Sequence, residues 1–325
     1  MPYVLGIDVG GTKVAVARLE GARAADKVEQ ATELAHVDGL LEGIEQAVQK
    51  VVGDGPGPEA IGVGVPSQVD FATGTALASV NIPLEGVPLR EELGKRFGVP
   101  VFVDNDANCA ALAEAQLVPD PPAQHLVMLT LGTGVGGGLI VDGRIERGHT
   151  GLGAELGHVI VDGQTAMAAS AGGLPRPGSL EWHCSGRGLE RAATEAARLA
   201  GEGALARKLD DDGRVSGREA VAAAQEGDAT AVEVFARFAR WLGLGIASFI
   251  NIFEPERVVL GGGLSRASDL FFDGAREEAR RNTLPALWKR VEIDLARGGA
   301  DAGVIGAGVL ATQELERLDL AQRSG

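Results

Sequence analysis

Residues 5–16 and 129–140 are built to one plan, and that repeat constrains the chain more than any other feature. Each is an apolar strand, a glycine turn carrying threonine, and a second apolar strand. In the first, the turn is Gly10, Gly11, Thr12 and Lys13, with Asp8 two residues ahead. In the second it is Gly132, Thr133, Gly134 and then Gly136. Glycine turns are common in hairpins, but a duplicated one points to a shared task. Without a Cβ, backbone N–H groups can reach phosphate oxygens. Two such turns facing each other across a cleft can hold a polyphosphate. Asp8 is suited to anchoring magnesium through water; the second turn, all glycine and threonine, is suited to wrapping phosphate.

At 325 residues the chain has room for two domains of ordinary size. A net charge of −15 argues against nonspecific nucleic-acid or acidic-membrane binding. It leaves an anionic nucleotide open, because backbone amides and magnesium can hold phosphate. Cys109 and Cys184 allow at most one disulfide and form no CxxC pattern, so a reducing compartment is expected. No basic n-region precedes the first strand and no apolar run reaches membrane-spanning length. The expected location is the cytoplasm, with no membrane partner.

The pattern predicts strands at 3–9 and 13–19, a third before Thr32, and a helix over 38–52 with Leu40, Leu41, Ile44, Ala47, Val48 and Val51 on one face. A buried strand at 60–65, a helix at 88–97 and a strand at 99–103 follow. That strand runs into Asn105, Asp106, Ala107 and Asn108, then a helix to about 116. Prolines at 119, 121 and 122 set the domain boundary. The expected division is 1–118 and 119–300, with a helix at 301–316 packing back on the first domain. The second domain has strands at 126–131 and 138–141, glycine-rich loops at 148–157 and 168–178, helices at 186–200, 216–225 and 229–253, a strand at 257–260, a further helix to about 282 and a strand at 291–295. The fold class is α/β, with mixed sheets flanked by helices.

Asp106 stands where a strand gives way to a helix, the place where ligand groups collect in open α/β sheets. A carboxylate there can take the proton of a hydroxyl as its oxygen attacks phosphorus. The plainer reading, a helix cap, loses ground beside two phosphate turns. Glu155 and His158, three residues apart, and Glu181 further on are suited to binding vicinal hydroxyls. Gly261, Gly262 and Gly263 follow a buried strand and precede a helix, where a flat ring can approach the backbone. No Walker A motif is present, and the glycine run at 134–138 leads into a strand, unlike a dinucleotide fingerprint.

Asp8-Val9-Gly10-Gly11-Thr12-Lys13, Asn105-Asp106-Ala107-Asn108, residues 132–138, Glu155-Leu156-Gly157-His158 and Gly261-Gly262-Gly263 stand in one order and spacing. Together they resemble the sugar kinases of the ROK (repressor, open reading frame, kinase) family, over residues 3–315. The resemblance implies duplicated actin-like ATPase (ribonuclease H-like) domains with a central cleft, ATP and magnesium as cofactors, a sugar between the domains, and a homodimer or homotetramer. It implies Asp106 as catalytic base, Asn105 and Asn81 as sugar ligands, and Glu155, His158 and Glu181 as contacts to ring hydroxyls. It implies phosphorylation of a hexose, glucose first. N-acetylmannosamine, N-acetylglucosamine, fructose or allose as acceptor, polyphosphate as donor, and a non-catalytic sugar-binding regulator stay open. A repressor of the same family would carry a winged helix, for which the seven residues ahead of Asp8 leave no room, and the net charge is wrong for DNA.

The sequence departs from the family at its zinc site. The resemblance calls for a cysteine cluster after the Glu-x-Gly-His motif, but residues 171–181 contain none and Ser179 stands where the last would fall. Structural zinc needs four nitrogen or sulfur ligands, and His158 alone cannot supply them. No zinc is expected; His183 and Cys184 lie nearby out of order.

Overall fold

The computed structural model describes residues 3–79, 81–117, 121–170, 172–209 and 211–324. The chain divides into two compact units. One comprises 1–128, 138–154 and 296–325; the other comprises 129–137 and 155–295. The expected boundary at 118–119 falls outside the described residues.

The first unit opens with β1 (Val4–Val9), β2 (Lys13–Glu20) and β3 (Arg23–Ala31), an antiparallel meander. Helix α1 (Val37–Val52) buries the predicted face from Leu40 to Val51 and ends where Gly53 donates to the Gln49 carbonyl. Strand β4 (Ala60–Val65) is buried at every position, as a central strand covered on both faces must be. A small antiparallel pair follows, β5 (Ser67–Asp70) and β6 (Thr75–Ser79), then α2 (Leu89–Phe97), β7 (Val101–Asn105) and α3 (Asp106–Leu117). The sheet order is β3-β2-β1-β4-β7, with β1, β4 and β7 parallel. Leu5, Ile7 and Val9 of β1, Ile61, Val63 and Val65 of β4, and Val101 and Val103 of β7 build one core with α1. The period of two then turns Gly6, Asp8, Gly62, Gly64 and Asp104 to the opposite face.

A second sheet contains β8 (Leu126–Leu131), β9 (Val135–Val141) and β10 (Arg144–Ile145). Beyond it come the short helices α4 (Gly163–Ala168) and α5 (Leu180–Cys184), then α6 (Gly186–Ala200), α7 (Gly217–Gln225) and α8 (Ala229–Phe253). Asp228 caps α8 by accepting from Ala231 N–H at 2.9 Å. Strand β11 (Arg257–Gly261), helices α9 (Phe272–Asn282) and α10 (Pro285–Trp288) and strand β12 (Glu292–Leu295) complete this part; the sheet order is β10-β9-β8-β11-β12.

The final helix, α11 (Ala302–Ser324), belongs to the first unit and covers the face of its sheet that carries Asp8. It comes close because β1 and β4 present glycine there. A Cβ at Gly6 would collide with the Val304 carbonyl, and one at Gly62 with the Ala307 carbonyl. Cys109 and Cys184 are both buried free thiols. Among the described residues no helix is long and apolar enough to cross a membrane.

Candidate active site

The parallel strands of the first unit bring the acidic residues into register. Asp8 of β1 pairs with Gly64 of β4, and Gly64 with Asp104 of β7. Asn105 ends β7 and Asp106 is the first residue of α3, so the expected strand-to-helix junction is sharper than the sequence suggested. Gly64 keeps the space between them clear; a Cβ there would lie 3.1 Å from Cys109 Sγ and 3.8 Å from Asp106 Cα. Gly303 of α11 does the same for Asp8, since a Cβ would sit 2.5 Å from its carboxyl carbon.

The Asn105 amide is oriented at both ends. Its Nδ2 donates to the Ser67 carbonyl at 3.2 Å, and its Oδ1 accepts from Ala107 N–H at 2.9 Å. Asp106 Oδ1 shares that Ala107 N–H at 2.8 Å. Burial, and then the charge of Asp8, push the Asp106 carboxyl up to about 6, while the Ala107 N–H pulls the other way. Part of its surface remains accessible. Burial also raises Asp8, opposed by Lys13 and reinforced by Glu29. The Asp8 carboxylate accepts no hydrogen bond among the described residues.

Around the first turn, Gly10 N–H donates to the Lys13 carbonyl at 2.9 Å and Thr32 Oγ1 to the Gly10 carbonyl at 2.7 Å. Thr12 is exposed, and Lys13 meets Glu29 at 2.7 Å on the surface. Asn81 is exposed beside this turn: a Cβ on Gly11 would make ordinary contact with it at 3.7 Å.

The second unit assembles the other candidates. In the turn after β8, Gly132 N–H donates to the Gly134 carbonyl at 2.9 Å, and the Gly132 carbonyl accepts from Gly186 N–H at 2.7 Å. Thr133 is exposed and Gly136 lies within β9. Glu181, on α5, accepts the Val135 N–H through Oε2 at 2.8 Å, and a Cβ at Gly134 would stand 2.6 Å from that oxygen. Gly157 packs on the same strand, where a Cβ would strike the Val135 carbonyl. Glu181, the glycine turn and the 155–158 segment therefore meet. Glu155 Oε2 is 3.9 Å from His158 Nε2, and His158 Nδ1 is buried without a hydrogen-bond partner among the described residues. Gly261 ends β11; Gly262 has φ +85° and sits where a Cβ would overlap the Leu131 backbone, whereas Gly263 faces open space. The helix expected directly after this triplet is a 3₁₀ segment, Gly263–Leu270, kinked at Ala267.

Asn81 and Asn105 thus lie in one unit, and Glu155, His158 and Glu181 in the other. Sequence reasoning missed Asp104, Gly64 and Gly303. The available signal was a lone acid at the end of the apolar run 101–103.

In the stretch where the family resemblance places zinc, the described residues make side-chain caps and backbone hydrogen bonds. Ser179 is buried and caps α5, accepting from Trp182 N–H at 3.1 Å. Asp162 caps α4, accepting from Thr165 N–H at 3.0 Å and Thr165 Oγ1 at 2.6 Å. The Gly178 carbonyl accepts from the N–H groups of Val161 and Asp162 at 2.9 and 3.0 Å. His183 stacks on Trp241 with ring centroids 4.5 Å apart, and burial lowers its pKa to about 4. Short helices α4 and α5 thereby border the expected loop 168–178, with α4 reaching its first residue. Among the described residues no three His, Cys, Asp or Glu side chains are grouped to hold a metal ion.

A strand meander continued by parallel strands, with acids at strand ends and a second glycine-turn sheet, defines an α/β protein of the actin-like ATPase fold. Residues 4–314 match the ROK family model, and the chain belongs to that family. It is 34% identical to a glucokinase of Halalkalibacterium halodurans, covering 96% of each chain. The ROK hexokinase structure from Thermus thermophilus superposes with a TM-score of 0.82 at 35% identity, covering 97% of this chain and 99% of that one. A ROK family glucokinase from Streptomyces griseus, solved with glucose and AMPPNP, gives 0.74 at 33% identity over 96% and 99%.

Proposed function

We propose that this protein is an ATP-dependent hexose kinase that converts glucose to glucose 6-phosphate. The observation that carries the reading is Asp106: a carboxylate that opens α3 directly after β7, beside an oriented asparagine, with burial pushing its pKa up to about 6. A general base works best when its pKa lies near the operating pH.

Asp106 accepts the proton of the sugar 6-hydroxyl as that oxygen bonds to the γ-phosphorus and the bond to the ADP oxygen breaks. Asn105 and Asn81 hold sugar hydroxyls. Glu155 and His158 hold others; His158 Nδ1 needs a partner. Glu181 bonds a hydroxyl through Oε1 while Oε2 stays on the Val135 N–H. The turns at Gly10, Gly11, Thr12 and Lys13 and at Gly132, Thr133, Gly134 and Gly136 cradle phosphates, and Gly261, Gly262 and Gly263 leave room for the nucleoside.

Asp8 suits magnesium: it is a carboxylate without a hydrogen-bond donor among the described residues, and burial, opposed by Lys13 and reinforced by Glu29, raises its cost of ionisation. Magnesium is commonly held by one or two carboxylates plus water and substrate phosphates. When bound it neutralises phosphate charge. The family resemblance extends the proposal to a cytoplasmic homodimer or homotetramer, which analytical ultracentrifugation checks.

The test is ADP release with magnesium and ATP against glucose, N-acetylglucosamine, N-acetylmannosamine, fructose and allose, with polyphosphate as a second donor. The highest kcat/KM is expected for glucose with ATP. A higher value for another pair replaces the substrate; sugar binding without turnover makes the protein a sugar-binding regulator.

A further inference from the structure

Asp104 is buried, with 2% of its surface accessible, immediately before the proposed sugar ligand and base. Its two oxygens have separate tasks. Oδ1 accepts from the Asn105 backbone N–H at 2.7 Å and from Asn108 Nδ2 at 2.8 Å. Oδ2 accepts from Arg147 Nε at 2.7 Å, with Nη2 also at 2.7 Å. One carboxylate thus fixes the Asn105 backbone and the first turn of α3, bracketing Asp106, and is itself fixed by a guanidinium.

Arg147 is equally constrained. Its guanidinium carbon lies 3.6 Å from the centre of the Phe71 ring. The Phe71 carbonyl accepts from Arg90 Nη2 at 2.6 Å and the Ala72 carbonyl from Arg90 Nη1 at 2.8 Å. The Arg147 carbonyl closes the turn to Gly153 by accepting its N–H at 2.8 Å. Arg147 is thereby gripped between an aromatic face and a carboxylate, a site where lysine is not equivalent to arginine.

We infer that Asp104 and Arg147 form a positioning pair for phosphoryl transfer, holding the Asn105–Asp106 segment where the base must stand. Neither residue is assigned a substrate contact. A buried ion pair contributes little net stability, yet removing one partner leaves an uncompensated charge. Its value here is geometric: a misplacement of about 1 Å at a reacting group can cost about 10²-fold in rate. The inference rests on the reading of Asp106 as base.

The test compares Arg147→Lys and Arg147→Met with Asp106→Asn, measuring kcat, the KM values for glucose and MgATP, and Tm. Arg147→Lys keeps the charge and is expected to hold Tm close to wild type while kcat falls about tenfold or more and the MgATP KM stays within about twofold. Arg147→Met is expected to lose kcat and Tm together. Wild-type kcat in folded Arg147→Lys overturns the pair's positioning role, whatever becomes of the methionine variant. An active Asp106→Asn overturns the base assignment and this inference with it. An inactive Asp106→Asn beside a fully active Arg147→Lys overturns this inference alone.

Discussion

Replacing Asp106 by asparagine should cost activity and add stability, and both effects follow from one displaced pKa. The carboxyl titrates near 6 in the fold against an ordinary 3.8. The displacement is about 2 pKa units, at about 1.4 kcal/mol each. The ionised group therefore opposes folding by about 3 kcal/mol at most, reduced by whatever screening its exposed part receives. The sign follows from linkage. The folded carboxyl binds its proton more tightly than the unfolded one, so the cost is full above pH 6. It shrinks as pH falls through 6, to about 1 kcal/mol at pH 4.5, and vanishes below 3.8. Asparagine keeps an oxygen for the Ala107 N–H and removes the charge. Thermal unfolding of both proteins should show Asp106→Asn more stable at pH 8, by roughly 2–6 °C in Tm, with the gap narrowing toward pH 4.5. Its kcat should fall by about 10²–10⁴ while glucose binding persists, and wild-type kcat should decline as pH falls through about 6. A mutant with more than about a tenth of wild-type kcat removes Asp106 as the base, and one with no pH-dependent gain in Tm removes its raised pKa.

Asp8→Asn removes the like charge that helps raise Asp106. The acid limb of its pH–kcat profile should move to lower pH, and its MgATP KM should rise more than its glucose KM; an unmoved limb disconnects the two acids. Gly263→Ala adds a methyl group into open space, so Tm should hold while the ATP KM rises several-fold; an unchanged KM removes the triplet from the nucleotide site. Gly62→Ala pushes against α11 and should lower stability by about 1–3 kcal/mol, read by urea denaturation; wild-type stability would mean the helix is not seated as described. Elemental analysis should find no stoichiometric zinc, and chelators should leave Tm unchanged. About one zinc per chain would contradict the view that the caps at Asp162 and Ser179 hold that region.

The sequence showed the fold wherever a pattern was long. The two strand–turn–strand units are β1–β2 and β8–β9, and α1 buries the residues its periodicity selected. Short elements escaped because their causes are local. Helices α4 and α5 begin at single side-chain caps within glycine-rich sequence, and β5–β6 is a brief pair with no strong apolar run. Strand β7 continues to Asn105 because it pairs with Val65 of β4, a tertiary fact that propensity does not carry. The same holds for Asp104. An acid ending an apolar strand signals that a partner is needed, but Arg147 lies 43 residues away, and only folding identifies it.

The reaction proposed for this chain moves the γ-phosphoryl group of ATP to the 6-hydroxyl of glucose. Phosphorus NMR of a reaction with glucose, ATP and magnesium follows donor and product together. Glucose 6-phosphate should appear in step with ADP, and neither should appear with Asp106→Asn. Glucose bound, by calorimetry, with ATP left intact or converted to ADP and free phosphate would rule out phosphoryl transfer to the sugar.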